Sequence, residues 1–311
     1  MTLKNNIYKP EGVFPAMMTP FDAHGNINEP VLRKLVNWLI EEGVNGLFPL
    51  GSVGEFIHLS FEQKVQIMKT VVNEARGRVP VLPSATESNA KKSIMLAKKA
   101  KELGCKGVVI APTYYYPVSQ EMMEEHFEQV AQAVSDLPII LYNIPLFGTP
   151  ISYDVVKRLS RIENVVAMKD SSGSMVDLLH FMDKVRLIGE NINILVGREE
   201  MLYSGLMVGA KGTMSATVGI VPEAMINIYK CWQQGDFRKA NEIQFSILLL
   251  VRAMFALPFP LGFKIALELR GFVMGEPQQP LSDAEQYNYL KVKSRIEKIM
   301  KQLLGDKLIV I

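Results

Sequence analysis

Several things are scarce in this sequence. Its 311 residues include two cysteines, two tryptophans and four histidines, and 34 basic against 32 acidic residues leave a net charge of only +2. Cys105 and Cys231 are far apart and form no CxxC or Cys/His cluster. Neither a disulfide framework nor a zinc module is encoded, and two buried thiols in a reducing cytoplasm are expected. His24, His58, His126 and His180 are scattered, none at ligand spacing, and no GxSxG elbow occurs. A metal centre and a serine-hydrolase triad are therefore set aside. Balanced charge without a Lys/Arg run argues against a nucleic-acid face; Lys91, Lys92, Lys98 and Lys99 fall at the spacing of a solvated helix face. Long apolar runs are missing too. The most lipid-like segment, FSILLLVRAMFALPFPLGF (245–263), is broken by Arg252 and two prolines. It falls short of the roughly 20 apolar residues a spanning helix needs. The start, MTLKNNIYKPEG, lacks the apolar centre of a signal peptide. A soluble, cytoplasmic protein without a membrane or nucleic-acid partner is expected.

What the sequence does have is apolar mass, 48% of its residues, and a rhythm. Short apolar runs recur: GVFPAMMT (12–19), GLFPLG (46–51), VPVLPSA (79–85), GVVIAP (107–112), LPIILYN (137–143), VVAMKD (165–170), INILVG (192–197) and KGTMSA (211–216). Amphipathic patterns lie between them. VLRKLVNWLIEEG (31–43) and SFEQKVQIMKTVVNEARG (60–77) both close on glycine, and the second opens on a Ser cap. Eight strands, most followed by a helix, predict an α/β fold of the (β/α)8 TIM-barrel class. A doubly wound sheet ranks behind it, because the glycine fingerprint after the first strand is missing. Helical patterns alone follow the eighth run. They predict a catalytic barrel over residues 1–233 and a C-terminal helical bundle over 234–311.

In such barrels the chemistry collects at the C-terminal ends of the strands. One end is unusual. In VVAMKDSSG (165–173) a lysine, Lys169, continues straight out of an apolar strand. A lysine in that place more often snorkels or pairs with an acid. At a barrel's catalytic end it has a second use. An amine among apolar neighbours loses hydration of its charged form, and the free amine attacks a ketone to form a Schiff base. The neighbouring Asp170 has two readings besides the amine: it pairs with a neighbouring side chain or with a helix end. Tyr142 ends the preceding strand; it is either an edge-packing residue or a phenol that moves protons beside Lys169. Gly51-Ser52-Val53-Gly54 is either an ordinary turn or a cradle of N–H groups for a carboxylate. No GK[ST] follows it, so it is not a phosphate-binding Walker loop. Tyr114, Tyr115, Gly197, Glu199, Glu200, Met214 and Ser215 complete the strand ends.

The motifs GSVGE (51–55), LYNIP (141–145) and MKDSSG (168–173), with GVFPAMMTPFDAHGNIN and YYYPVSQEMMEEHF (114–127), resemble the dihydrodipicolinate synthase/N-acetylneuraminate lyase family of class I pyruvate-dependent aldolases. The likeness runs over almost the whole chain. It implies a (β/α)8 barrel with a C-terminal helical extension, a homotetramer, and no metal or organic cofactor beyond the covalent lysine. It also implies roles. Lys169 is the Schiff-base lysine and Tyr142 the proton-shuttling phenol. Ser52 links Tyr142 to a further tyrosine, Tyr115 or Tyr114, that is often borrowed from a neighbouring subunit. Ser52 and Val53 offer N–H groups to the carboxylate of pyruvate, with Gly51, Phe147, Gly197, Glu199 and Met214 around the substrate.

Two departures bear on the reaction. Dihydrodipicolinate synthases usually carry two threonines where this chain has Ser52 and Val53, and an arginine for the carboxylate of aspartate semialdehyde where it has Phe147. A benzyl group cannot hold a carboxylate. The Glu199–Glu200 pair resembles the acids that receive polyol hydroxyls in sialic acid lyases, although an acidic first turn of a helix reads the same way. The expected function is a lyase that makes or consumes pyruvate, cleaving a 2-keto-3-deoxy sugar acid to pyruvate and a hydroxyaldehyde. The alternatives are 4-hydroxy-tetrahydrodipicolinate synthase, a dehydratase or deaminase using the same ketimine and, from another class, a non-catalytic sensor of 2-oxo acids.

Overall fold

In chain order the computed structural model forms β1 (Gly12–Pro15), α1 (Glu29–Glu42), α2 (Phe61–Ala75), α3 (Ala90–Glu102), β2 (Val108–Ile110), α4 (Gln120–Ala133), β3 (Ile139–Asn143) and α5 (Tyr153–Leu159). There follow β4 (Val165–Asp170), α6 (Met175–Leu187), β5 (Asn193–Val196), α7 (Leu202–Met207), β6 (Gly212–Ser215), α8 (Pro222–Gln233), α9 (Phe237–Met254), α10 (Leu261–Leu269) and α11 (Asp283–Leu304). Residues 7–187 and 192–309 are described; the first six residues of the polar start, where no leader was expected, lie outside them.

Local chemistry sets these boundaries. The Asn28 side chain accepts from the N–H of Val31 and caps α1. Ser60 and Gln63 form a reciprocal capping box on α2, which satisfies two N–H groups that a helix start leaves open. The C-terminus of α2 comes earlier than the closing glycine predicts. Arg76 itself turns left-handed, with φ 50°, and its N–H returns to Val72 O.

Of the eight expected strands, six form. The runs at 46–51 and 79–85 are joined to neighbours only by isolated bridges at Phe48 and Ser84, and the first ends in a turn at Pro49–Leu50, with Leu50 at φ 63°. Pro49, Pro80 and Pro83 carry no N–H, so neither run can sustain a continuous ladder. Single bonds remain: Val109 N to Pro83 O at 2.9 Å, Ala85 N to Val109 O at 2.9 Å, and Phe48 N to Pro15 O at 3.1 Å.

The mixed α/β chain divides into two compact units. One holds Pro80–Met214 with the segment ending at Gly12, the other Val13–Val79 with the segment from Ser215 onward. In the first unit β2, β3, β4, β5 and β6 are parallel neighbours in that order. Every residue of β2 to β5 is buried, as expected of parallel strands covered by helices. Helices α3 to α6 pack in successive pairs and contribute Leu96, Phe127, Val155 and Phe181 to the core. Each such side chain stabilises the fold by roughly 1.5–3 kcal/mol. In the second unit α1 packs on α2, and α8, α10 and α11 gather around α9. Phe14, Phe21, Phe48, Phe263 and Phe272 fill that core. Arg270 is fully buried there, bound to Glu223 at 2.5 Å with its guanidinium 4.9 Å above the Trp38 ring.

Candidate active site

Lys169, the penultimate residue of β4, does not face solvent. It is 4% exposed, as is Tyr142, and its Nζ lies 3.9 Å from the centroid of the Tyr142 ring. The two residues pair directly across β3 and β4. That register depends on a bulge. Ile139 pairs with Val165 but Ile140 pairs with Ala167, which leaves Val166 as an extra residue in β4. Without it Tyr142 would stand opposite Met168, since one residue of slip turns a strand's side chains over.

One step further along, Asn143 pairs with Asp170. Asn143 Nδ2 donates to Asp170 Oδ1 at 2.8 Å, and the Ser172 hydroxyl donates to Oδ2 at 2.8 Å. The Asn143 side-chain oxygen, Oδ1, accepts from Ile151 N at 3.0 Å. The partner of Asp170 is thus the amide beside Tyr142. Burial raises the Asp170 carboxyl above the usual range, opposed by hydrogen bonds from Asn143 and Ser172.

Beyond β5 the chain passes close under the lysine. Gly197 N donates to Asp170 O at 2.7 Å. A Cβ at Gly197 would lie 1.9 Å from Ser171 Oγ and 2.9 Å from Lys169 Cε, so only glycine leaves the lysine its place. Glu199 and Glu200 open a short 3-10 turn ahead of α7, where a helix start favours acids. Glu199 is buried, and Glu200 pairs with Arg198 at 3.3 Å. Met214 is fully buried in β6.

The tyrosines after β2 separate in environment. Tyr114 bonds to the buried Glu87; burial first, then the Glu87 charge and hydrogen bond, raise its phenol. Tyr115 has φ 82° and is 87% exposed, edge-on to Tyr116 at 4.8 Å. A left-handed backbone under a bulky side chain is rare, and such residues concentrate at functional sites. Phe147, in the turn after β3, is 48% exposed.

The structure therefore gathers Lys169, Tyr142 and Gly197 into contact and leaves Tyr115 and Phe147 projecting. Gly51, Ser52 and Val53 belong to the second unit. Ser52–Gly54 form a single 3-10 turn. Gly54 N returns to Gly51 O at 2.9 Å and Glu55 N to Ser52 O at 3.1 Å. Thr19 Oγ1 donates to Gly54 O at 2.8 Å, and a Cβ on Gly54 would sit 2.8 Å from Met17 O. Behind the turn Glu55 and Lys264 form a buried ion pair at 2.6 Å. The sequence reading assigned neither residue a role, although a lysine inside the apolar run LGFKIAL was a visible signal. Among the described residues no group of three or more His, Cys, Asp or Glu side chains is placed to hold a metal. No helix among them is long and apolar enough to cross a membrane.

The model of the dihydrodipicolinate synthetase family matches residues 9–299. The chain belongs to that family. The 4-hydroxy-tetrahydrodipicolinate synthase of Methanopyrus kandleri is 32% identical over 292 residues, covering 93% of this chain and 96% of the relative. Its counterpart in Nitratidesulfovibrio vulgaris is 33% identical over 284 residues, covering 91% and 96%. Among solved structures, dihydrodipicolinate synthase DapA-2 from Bacillus anthracis is 33% identical with a TM-score of 0.84, covering 91% of this chain and 97% of that one. YagE, a prophage protein of the dihydrodipicolinic acid synthase family from E. coli K12 solved in complex with pyruvate, is 30% identical with a TM-score of 0.86, covering 94% and 98%. As a member of the dihydrodipicolinate synthetase family the chain is an enzyme of the lyase class, and the family's chemistry is pyruvate-dependent Schiff-base formation. The relatives' names agree with the synthase, which the sequence reading ranked second, better than with the sugar-acid lyase it ranked first.

Proposed function

We propose that this enzyme joins Lys169 to pyruvate as a ketimine and uses the derived enamine to make or break a carbon–carbon bond. The observation that carries this is the buried Lys169 amine, 3.9 Å from the ring of Tyr142. As the free amine, Nζ adds to C2 of pyruvate, and the carbonyl oxygen leaves as water. The iminium then draws electrons from C3, which loses a proton to give the enamine. In synthesis C3 bonds to an aldehyde carbon, and hydrolysis returns the lysine. In cleavage the steps reverse, with Tyr142 accepting the proton of the C4 hydroxyl. The family resemblance assigns Ser52 and Tyr115 to the proton path and the N–H groups of Ser52 and Val53 to the pyruvate carboxylate. Tyr115 is preferred to Tyr114 because its ring projects from a left-handed backbone, whereas Tyr114 is held by Glu87.

For the aldehyde partner, the relatives' names favour condensation with aspartate semialdehyde, which makes the enzyme a 4-hydroxy-tetrahydrodipicolinate synthase. One observation favours a second reading, cleavage of a 2-keto-3-deoxy sugar acid: the half-exposed Phe147 offers no charge to a second carboxylate. The full (β/α)8 barrel over residues 1–233, the helical extension over 234–311, assembly as a homotetramer and a cytoplasmic location belong to the same proposal. Its support is the alternation of six strands and two bridged segments with helices, and the likeness to the solved relatives.

Intact-mass spectrometry after incubation with pyruvate and borohydride tests the core of the proposal. A reduced pyruvyl adduct is expected on the wild type and not on Lys169→Ala; a folded wild type without adduct overturns it. Turnover with pyruvate plus aspartate semialdehyde, set against pyruvate release from 2-keto-3-deoxy sugar acids, then decides the partner.

A further inference from the structure

We infer that Tyr153 is a positioning residue for the amine of Lys169: its hydroxyl, through Asp177, closes a ring of hydrogen bonds that fixes the end of β4. This rests on the reading of Lys169 as the Schiff-base lysine. Every member of the ring lies in the unit that holds Pro80–Met214.

Lys169 and Asp170 are the last two residues of β4, and the ladder with β3 stops at the Asn143–Asp170 pair. The end of a ladder frays unless other bonds take over from it. Here side chains do so. Asp170 accepts from the Asn143 amide and from the Ser172 hydroxyl. Ser172 Oγ accepts from Ser174 N at 3.2 Å, and Ser174 Oγ from Asp177 N at 3.1 Å. Asp177 Oδ1 accepts from the Tyr153 hydroxyl. Tyr153 opens α5, and two residues before it Ile151 N donates to Asn143 Oδ1, which returns the ring to its start. The starts of α5 and α6 are thus tied to the strand ends that carry Tyr142 and Lys169. Successive side chains of a strand point to opposite faces, so bonds at Asp170 hold the backbone from one side while the lysine projects on the other.

The bond between Tyr153 and Asp177 is the link that spans the two helices. The hydrogen bond to Asp177 first, then burial and the charges of Asp177 and Asp170, raise the phenol above its ordinary value of 10.0, so it remains a donor across the neutral range. Lys184 and Asp154 also join α5 to α6, at 3.0 Å, but an exposed ion pair of this kind holds little. The Tyr153 ring lies 4.9 Å from that of Phe181 and 5.0 Å from that of His180. Packing needs the ring alone; positioning needs the hydroxyl.

The test uses the full chain, with Tyr153→Phe, Asp177→Ala, Asp177→Asn and the double variant Tyr153→Phe/Asp177→Ala. Each is mixed with saturating pyruvate for timed intervals and quenched in borohydride. The Lys169 amine and C2 of pyruvate form a C=N bond with loss of water, and hydride reduces it to a secondary amine. Adduct mass against time gives a rate constant and a final yield. Tyr153→Phe and Asp177→Ala should each lower the rate constant roughly tenfold at full yield, since a displacement of about 1 Å can cost ~100-fold. Asp177→Asn keeps an oxygen that accepts from the phenol and should stay within about twofold of the wild type. The double variant should be no slower than the slower single one, because both changes break the same bond.

A wild-type rate constant for Tyr153→Phe overturns the inference. So does a lower yield at the wild-type rate constant, which marks loss of folded protein alone. Asp177→Asn as slow as Asp177→Ala overturns it as well, since the charge and not the bond then matters. A double variant slowed by the product of the two single effects has the same consequence. If Asp177→Ala does not fold, Tyr153→Phe and Asp177→Asn still decide. A wild type that yields no adduct overturns the Schiff-base reading itself, and the inference with it.

Discussion

Asn143 and Asp170 hydrogen-bond at 2.8 Å across β3 and β4, one residue beyond the paired Tyr142 and Lys169. The bond joins the two strand ends that carry the proposed phenol and nucleophile. Replacing Asp170 by alanine strips an acceptor from the buried Asn143 amide and from the Ser172 hydroxyl. Each buried group left without a partner costs about 1–3 kcal/mol. Asp170→Ala should therefore lower thermal stability clearly and slow adduct formation. Asp170→Asn keeps an acceptor for Asn143 and should lose much less of either. Thermal unfolding beside the rate of borohydride trapping measures both; an Asp170→Ala variant that traps pyruvate at the wild-type rate would break the link between this bond and the lysine.

Gly197 gives a sharper test of lysine placement. An added methyl group would meet Ser171 Oγ at 1.9 Å and Lys169 Cε at 2.9 Å. The serine hydroxyl can rotate away, but the lysine stem can yield only by moving its amine. Gly197→Ala should fold and yet trap pyruvate roughly 100-fold more slowly, in line with the sensitivity of bound reactants to displacements near 1 Å. Circular dichroism checks the fold and timed quench samples give the rate. Trapping within a few-fold of wild type would show that the lysine has more freedom than the close contact allows.

These two cases show how far the sequence could be read. Lys169 and Tyr142 were legible because each ends an apolar run, and a polar group at the end of a buried strand is a local signal. Their alignment was not, since it depends on the bulge at Val166, and VVAMKD carries no glycine or proline to mark it. The two weak strands were legible in kind but not in continuity, because Pro49 and Pro83 remove donors from otherwise strand-like runs. The Glu55–Lys264 pair was the hardest to find. Its members lie 209 positions apart, and sequence spacing carries no information about such a contact.

Phe147 separates the two acceptor readings. An arginine at this half-exposed position could bind a carboxylate through two parallel hydrogen bonds, which a phenyl ring cannot. If the enzyme's aldehyde partner is uncharged at this end, Phe147→Arg should raise kcat/KM for aspartate semialdehyde by roughly tenfold or more and depress cleavage of 2-keto-3-deoxy sugar acids; the gain corresponds to about 1.4 kcal/mol. If the wild type already condenses aspartate semialdehyde efficiently, the substitution should bring little gain, and the carboxylate is held elsewhere. Steady-state kinetics of both variants with both substrates decides.

His126 makes the enzyme's stability sensitive to acid. It lies on α4, 6% exposed, with its ring 5.5 Å from that of Phe127. Neither ring nitrogen has a hydrogen-bond partner among the described residues. Burial pushes the imidazole down to about 4 from an ordinary value of 6.5. Between those values the unfolded chain takes up a proton that the folded chain does not. The His126 contribution to stability should therefore be full above about pH 6.5, fall as the pH is lowered and level off below about 4, an expected loss of about 3 kcal/mol across the window. His126→Leu removes the titrating group and two buried polar atoms at similar volume. It should flatten this part of the pH profile and add about 1 kcal/mol at neutral pH. Denaturant midpoints for both proteins at pH 7.5, 6.0 and 5.0 test this directly. Converging curves are not expected: the variant's advantage should widen with each step down in pH, and parallel curves would show that His126 is protonated equally in the folded and unfolded chain.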